Sequence, residues 1–315
     1  MKIGFKGYHP VANLIFFASI VVFGLLFKHP ATLAVCFAAA LCYYIRLSGK
    51  TAFKSLLVFL TPMILVVVII NGLFAHYGIT PLMTLPDGNQ LTLESIVYGF
   101  VLGLAAVTII IWFFCYSEVV TADKFMSVFG KILPAAALVF SMTLRFIPMY
   151  KNRLHIIAEA QAGLGRDYKT GSIKQRIKNG GTIISILITW SLENAIETSD
   201  SMRARGYGLG GRKNYGKFRW STNDIVSVAV MLALDVIMTL GCIKKSLYCI
   251  YNPYIIINPS VDFGKTYFIN ELNMTFNPMS ALGIITLMAF ILLCFLPLII
   301  DLKEVIKWNR LESRI

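Results

Sequence analysis

Charged side chains are scarce in this sequence of 315 residues. They make up 14% of it, whereas hydrophobic residues make up 57%. A soluble domain normally carries about a quarter charged residues. The apolar residues also gather in several runs of about 20, the length of helix that crosses a bilayer. This composition excludes an ordinary soluble domain and predicts a polytopic membrane protein.

Groups that perform chemistry are equally scarce. The four histidines are scattered, no HExxH motif or nucleophile elbow occurs, and the six cysteines show no metal-ligand spacing. Residues 206–213 have the glycine spacing of a P-loop but end in Arg212-Lys213 instead of Lys-Ser/Thr. We therefore expect no catalysis, cofactor or metal in this chain. Cys242 and Cys249 remain candidates for a disulfide if their loop faces the outside.

Acidic side chains are too few to balance the basic ones, and the net charge is +13. On a soluble protein this excess would indicate nucleic acid as the partner. Here the Lys and Arg residues lie between and beside apolar runs, as the positive-inside rule requires of cytoplasmic loops. We expect a lipid bilayer, and no nucleic acid, as the partner of these charges.

Six apolar runs are candidate transmembrane helices. The distribution of Lys and Arg places the two chain ends, the loop 46–54 and the segment 117–219 on the cytoplasmic side. Loops 28–30, 75–94 and 244–276 then lie outside, although the last one carries three lysines. The prediction is an all-α fold, with transmembrane helices in 1–116, a cytoplasmic or interfacial module in 117–219, and further transmembrane helices with a basic tail in 220–315. The six runs are 11–27, 31–45, 55–74, 95–116, 225–243 and 277–300.

The middle segment, 117–219, has a different character, with 16 Lys or Arg against 7 Asp or Glu. Its most apolar stretches, 133–142 and 182–190, are short and run directly into charged helical sequence. We interpret them as long amphipathic helices at the membrane interface. A pair of true membrane spans is the alternative.

Both helical patterns in this segment end at glycine. The first ends at Gly163 and Gly165, and the second ends in 201–207 with Gly206 as the stop. Arg205 then lies in the last turn, where the helix dipole favours a cation and a guanidinium can bind a carboxylate or clustered carbonyls of a partner. Ordinary C-terminal capping is the alternative explanation.

These patterns resemble the transmembrane T component of energy-coupling-factor (ECF) transporters, which take up vitamins and metal ions. The resemblance covers most of the chain and begins with His9-Pro10 before the first apolar run. It rests further on the central pattern that contains Arg145, Pro148, Ala160 and Gln161, and on the motif Ala204-Arg205-Gly206, which Arg203 precedes.

The resemblance implies an ECF-type ABC importer in a bacterial or archaeal plasma membrane. Two long coupling helices would dock on two cytoplasmic ABC-type ATPase subunits and transmit their motion to a substrate-binding membrane subunit. ATP would be bound by the partners and not by this chain. The first docking motif departs from the family, because Gly163-Leu164-Gly165-Arg166 stands where Ala-Arg-Gly is expected. Arg166 could replace the missing arginine, or docking there could rely on shape and apolar contact.

A self-contained secondary transporter or channel is the alternative function. It would need ionisable residues or broken helices within the membrane. Asp235, inside the fifth run, is the one acidic candidate in a predicted span, but we favour a helix-packing hydrogen bond as its explanation, because one acid alone makes no pathway. A membrane-embedded enzyme ranks last, since no pair of acid, base or metal ligands supports it.

Overall fold

The computed structural model describes residues 4–75, 78–84, 90–209, 218, 220–251, 255–257, 274–276 and 279–312. These residues form nine α-helices, five short strands and a short 3₁₀ helix at Phe5–Gly7. The helices are α1 (Pro10–Leu26), α2 (Pro30–Ser48), α3 (Lys50–Phe74), α4 (Leu93–Val119), α5 (Ala122–Ile132), α6 (Pro134–Gly163), α7 (Ile173–Ala204), α8 (Thr222–Ile243) and α9 (Ala281–Glu312). The strands are β1 (Pro81–Thr84), β2 (Gln90–Thr92), β3 (Cys249–Ile250), β4 (Ile255–Ile257) and β5 (Met274–Phe276).

The chain divides into two compact units. One, which we call the bundle, consists of Met1–Thr121 and Phe218–Ile315, and the other, the inserted unit, is Ala122–Lys217. The bundle contains α1 to α4, α8 and α9, and the inserted unit contains α5 to α7. Apart from residues at their ends, the six apolar runs predicted to cross the membrane coincide with helices of the bundle, and residues 277–278 of the last run lie outside the described residues.

Four bundle helices are long and apolar enough to cross a membrane: Pro30–Ser48, Leu93–Val119, Thr222–Ile243 and Ala281–Lys307. Two shorter apolar helices, Pro10–Leu26 and Leu60–Phe74, accompany them. The predicted all-α, multi-pass membrane fold is therefore confirmed. Within the described residues, neither α6 nor α7 is among these candidate spans. Whether 133–142 and 182–190 lie at the membrane interface therefore stays a prediction.

The core of the bundle is rich in aromatic rings. Phe16, Tyr43, Trp112 and Phe290 are almost fully buried and belong to one hydrophobic cluster. Trp112 packs edge-on against Phe16, with ring centroids 5.7 Å apart. Rings of this size bury a large area, and edge-to-face pairs add about 0.5–1.5 kcal/mol each beyond that burial. The bundle therefore has a well-packed core of its own.

Two glycines one helical turn apart let α3 and α4 approach closely. A Cβ atom on Gly99 would lie 3.1 Å from Cα of Val68, and one on Gly103 would lie 3.4 Å from Cα of Ile64. This is the small-xxx-small spacing by which membrane helices bring their backbones together. The GxxxG spacing of Gly99 and Gly103 is itself a signal in the sequence.

The first two helices of the bundle begin in the same way. His9 and His29 are the N-cap residues of α1 and α2, and each is followed by proline at the first helical position. In each case Nδ1 of the histidine accepts a hydrogen bond from the backbone N–H two residues later, at 3.3 Å for His9 and 3.2 Å for His29. Two of the scattered histidines are thus helix caps, and the repeated His-Pro pair was their signal.

Small sheets interrupt the all-α architecture between the bundle helices. Strands β1 and β2 form an antiparallel pair, and β3, β4 and β5 form a second sheet within loop 244–276. These strands are two to four residues long, which is too short for a periodic signal in the sequence. Cys242 and Cys249 are both free thiols, so the candidate disulfide is absent. Much of this loop, including Lys265, lies outside the described residues.

Candidate functional site

Helix α7 ends in a tight turn that exposes Arg205. Arg205 is the C-cap with φ −84° and ψ 10°, and Gly206 follows with φ 79°. The N–H of Gly206 donates to the carbonyl of Arg203 at 2.9 Å, and the N–H of Tyr207 donates to the carbonyl of Met202 at 3.0 Å. These two bonds define a Schellman motif, whose left-handed residue is normally glycine. The predicted role of Gly206 as the helix stop is therefore observed.

Helix α6 ends in the same motif. Leu164 is the C-cap with φ −86° and ψ 8°, and Gly165 follows with φ 77°. The N–H of Gly165 donates to the carbonyl of Ala162, and the N–H of Arg166 donates to the carbonyl of Gln161, both at 2.9 Å. Two separate helices of the inserted unit therefore present nearly identical backbone ends.

The side chains on the two ends differ at equivalent positions. Leu164 occupies the C-cap position that Arg205 has in α7, and Arg166 occupies the position of Tyr207. Arg166 therefore does not stand at the place of the missing first arginine, but two positions beyond it. All four side chains are exposed, and Leu164 is 70% exposed, although it is fully apolar.

Arg203 and Arg205 extend from the last turn of α7. Both are exposed, and within the described residues neither guanidinium makes a hydrogen bond or an ion pair. The carbonyl end of the helix dipole favours cations there, but only by about 0.3–1 kcal/mol at an exposed site. Each guanidinium therefore remains available for the forked bonds that arginine forms with carboxylates.

The remaining residues of the central pattern lie along α6. Arg145 and Pro148 are exposed near its middle, and the helix continues through the proline without a break. Ala160 is exposed one turn before the C-cap, whereas Gln161 is half-buried and its carbonyl accepts the closing bond of the Schellman motif. The structure brings Ala160 and Gln161 to the helix end and leaves Arg145 and Pro148 more than two turns away from it.

An aromatic contact that the sequence did not reveal joins α6 to α7. The rings of Tyr150 and Trp190 meet edge-on with centroids 5.6 Å apart. The guanidinium of Arg153 lies 5.0 Å from the centre of the same Trp190 ring. Such a cation–π contact contributes about 0.5–2 kcal/mol, depending on how far it is desolvated. These three side chains fix the two long helices to each other within the inserted unit.

Asp235 lies in the bundle and serves helix packing. Its Oδ2 accepts a hydrogen bond from the hydroxyl of Ser19 at 2.7 Å, which links α8 to α1. The helix-packing hydrogen bond considered for Asp235 is thus present. Its Oδ1 is buried and has no hydrogen-bond partner among the described residues.

A cavity of about 410 Å³ opens where α1 ends and α4 begins. Lys28, Glu94, Tyr98 and Tyr251 are among its lining residues, and Asp235 is not. All four belong to the parts of the chain that the charge pattern places outside or to their edges. The described residues contain no group of three or more His, Cys, Asp or Glu that could hold a metal ion.

The fold, with several long apolar helices, defines a multi-pass membrane protein. Residues 6–215 match the family described as CbiQ, cobalt transport protein, and the chain belongs to this family. The family predicted from the sequence motifs, that of the ECF T components, is thereby confirmed.

Several relatives carry the name energy-coupling factor transporter transmembrane protein EcfT. The protein of Lactobacillus helveticus is 36% identical over 112 residues, which cover 35% of this chain and 40% of the relative. The Bacillus subtilis protein is 37% identical over 102 residues, which cover 31% of this chain and 38% of the relative. The chain therefore matches less than half the length of these relatives.

Proposed function

We propose that the chain is the transmembrane coupling subunit of an ECF-type importer. In this proposal the ends of α6 and α7 dock on two cytoplasmic ABC-type ATPase subunits. The two helices transmit the ATPase motion to a substrate-binding membrane subunit, which takes up a vitamin or a metal ion. Family membership and the EcfT names of the relatives support this assignment.

The single observation that carries the proposal is the pair of matching helix ends. Backbone N–H groups of the Schellman turn satisfy two of the last carbonyls at each helix end, and among the described residues Arg205 makes no side-chain hydrogen bond to its own helix end. Capping thus leaves Arg205 and Leu164 unexplained, whereas docking on a partner explains both. Two ends of the same backbone shape also suit two partner subunits of the same fold.

The two ends require different contacts from their partners. Arg205 suits an acceptor with carboxylates or clustered carbonyls, which can bind a guanidinium through two hydrogen bonds. Leu164 suits an apolar recess, because full burial of a leucine side chain contributes about 1.5–3 kcal/mol. We infer that Arg166, which lies two positions after Leu164, plays a secondary part in docking.

The flanks of α6 and α7 carry more apolar surface than a solvated helix pair needs. Contiguous exposed apolar surface marks interaction sites with proteins or membranes. We assign this surface to the substrate-binding subunit and the surrounding lipid. Its members, all more than half exposed, include Val139, Ile147, Ile156, Ile184, Ile188, Leu192 and Ile196.

Charge reversal at Arg205 tests the docking role. We expect Arg205→Glu to abolish copurification of the ATPases with the tagged chain from its native host, because like charges would then face each other at the acceptor. Lys178→Glu is the matched control, since it makes the same charge change at an exposed position on the same helix. Normal ATPase recovery with Arg205→Glu would exclude docking through this residue, provided both variants insert equally well.

A self-contained transporter or channel remains the second candidate. Asp235, with one oxygen lacking a partner among the described residues, is the observation in its favour. The cavity, however, lies at one end of the bundle and does not include this residue. Uptake of Co²⁺ into liposomes that contain the purified chain alone would support the second candidate, and the coupling-subunit proposal expects none without the partner subunits.

A further inference from the structure

The inserted unit is joined covalently to the bundle at two places. One is the end of α4, near Val119, and the other is the start of α8, near Ser221. We propose that the N-terminal segment Phe5–His9 is a clasp that holds both of these attachment points in the bundle. Three sets of contacts within the bundle support this clasp, and they involve Phe5, Lys6 and His9.

The clasp is itself anchored in the core through Phe5. This ring is fully buried, and it packs edge-on against Phe16 with centroids 5.0 Å apart. The backbone N–H of Phe5 donates to Oδ1 of Asp301 in α9 at 2.7 Å. A buried ring and a charge-assisted hydrogen bond therefore tie this short segment to the core.

The next residue of the clasp reaches the first attachment point. Nζ of Lys6 lies 3.9 Å from Oε2 of Glu118, in the last turn of α4. Both side chains are about half exposed, so this pair alone would hold little. Val119 and Val120, however, are buried in the same hydrophobic cluster as Phe5. The end of α4 is therefore held by the core that the clasp completes.

The last residue of the clasp reaches the second attachment point. The N–H of His9 donates to Oδ1 of Asp224 at 3.0 Å in a buried bond. The other oxygen of Asp224 accepts the N–H of Ser221 at 2.8 Å, which closes the capping box of α8. The ring of His9 also stacks on Trp220, with centroids 4.0 Å apart and planes 16° from parallel.

Phe5–His9 thus contacts residues that precede the inserted unit in the sequence and residues that follow it. The two attachment points are the only covalent connections through which a movement of the inserted unit can be transmitted to the bundle. A clasp that keeps them fixed to the core would make the bundle respond as one body. This functional consequence rests on the proposed coupling role, whereas the clasp itself is a property of the bundle.

Hydrogen exchange measured by mass spectrometry on the purified full chain in lipid nanodiscs tests the clasp. The reporters are the amide of Val120, bonded to the carbonyl of Tyr116, and the amide of Ile225, bonded to the carbonyl of Ser221. Phe5→Ala removes a side chain that belongs to neither attachment. We expect it to raise exchange at both reporters by about tenfold, because loss of the anchor raises the population of the locally open form.

Core damage alone would be a competing explanation, and Leu293→Ala controls for it. Leu293 is fully buried in the same cluster but belongs to α9. We expect this variant to raise exchange along α9 without singling out the two attachment points. Equal effects of the two variants, or a response of only one reporter to Phe5→Ala, would overturn the clasp.

A second pair of variants separates the stacking contact from the helix cap. His9→Ser keeps a side chain that can cap α1 but loses the stack on Trp220, whereas His9→Phe keeps a stacking ring and loses the cap. The clasp predicts faster exchange at Ile225 in His9→Ser than in His9→Phe, and the opposite order contradicts it. If wild-type chain copurifies with no ATPase, the coupling proposal fails, while the exchange data still decide for or against the clasp.

Discussion

Gly206 is the residue on which the presentation of Arg205 depends most directly. Its φ of 79° lies in the left-handed region, where a Cβ atom approaches the following carbonyl oxygen. An added Cβ would also lie 3.2 Å from Cδ1 of Leu209, the tip of an exposed side chain that can move aside. Backbone strain, and not crowding, therefore sets the cost of Gly206→Ala.

The magnitude follows from that conformation. Alanine in the left-handed region costs about 1–2 kcal/mol. A cost near the lower limit raises the open population of the turn about fivefold, since 1.4 kcal/mol corresponds to tenfold. Gly180→Ala on the same helix is the matched control, because Gly180 has an ordinary helical conformation with open space around it. It should stabilise α7 by about 0.5–1 kcal/mol.

The assay is hydrogen exchange of the peptide that contains the amides of Gly206 and Tyr207, which close the Schellman motif. We expect about fivefold faster exchange in Gly206→Ala and no increase in Gly180→Ala. Gly165→Ala, with φ 77° at the end of α6, should behave like Gly206→Ala at its own turn. Unchanged exchange in Gly206→Ala would refute the argument that this turn requires glycine.

Two further predictions concern docking at α6 and packing in the bundle. Leu164→Ala should weaken ATPase retention in pull-downs more than Arg166→Ala does, because Leu164 holds the position equivalent to Arg205. A larger effect of Arg166→Ala would show that docking at this helix end depends on the charge of Arg166 instead. Ser19→Ala should lower the thermal stability of the purified protein more than Asp235→Asn, since it leaves a half-buried carboxylate without its hydrogen-bond donor at a cost of about 1–3 kcal/mol. The reverse order of melting temperatures would show that Asp235 has a role other than packing.

The helix ends show which features of the candidate site the sequence motifs predict. Gly206 was predicted as a helix stop because glycine is preferred in the left-handed conformation, and its φ of 79° agrees. The prediction left open whether Arg166 replaces the first arginine. The motif already placed Leu164 where the arginine is expected, and the backbone geometry agrees, because Leu164 is the C-cap of α6 as Arg205 is the C-cap of α7. A C-cap position is defined by dihedral angles and hydrogen bonds, which the spacing of Gly163 and Gly165 does not determine.

By itself, the sequence determined the membrane class, the six apolar helices and the family, because hydropathy, charge asymmetry and local motifs act within one helix or one turn. The tertiary structure decided which residues from distant positions meet. The hydrogen bond of Ser19 to Asp235 and the stack of His9 on Trp220 each join residues more than 200 positions apart. Such contacts depend on how helices pack against one another, and no local pattern encodes that choice.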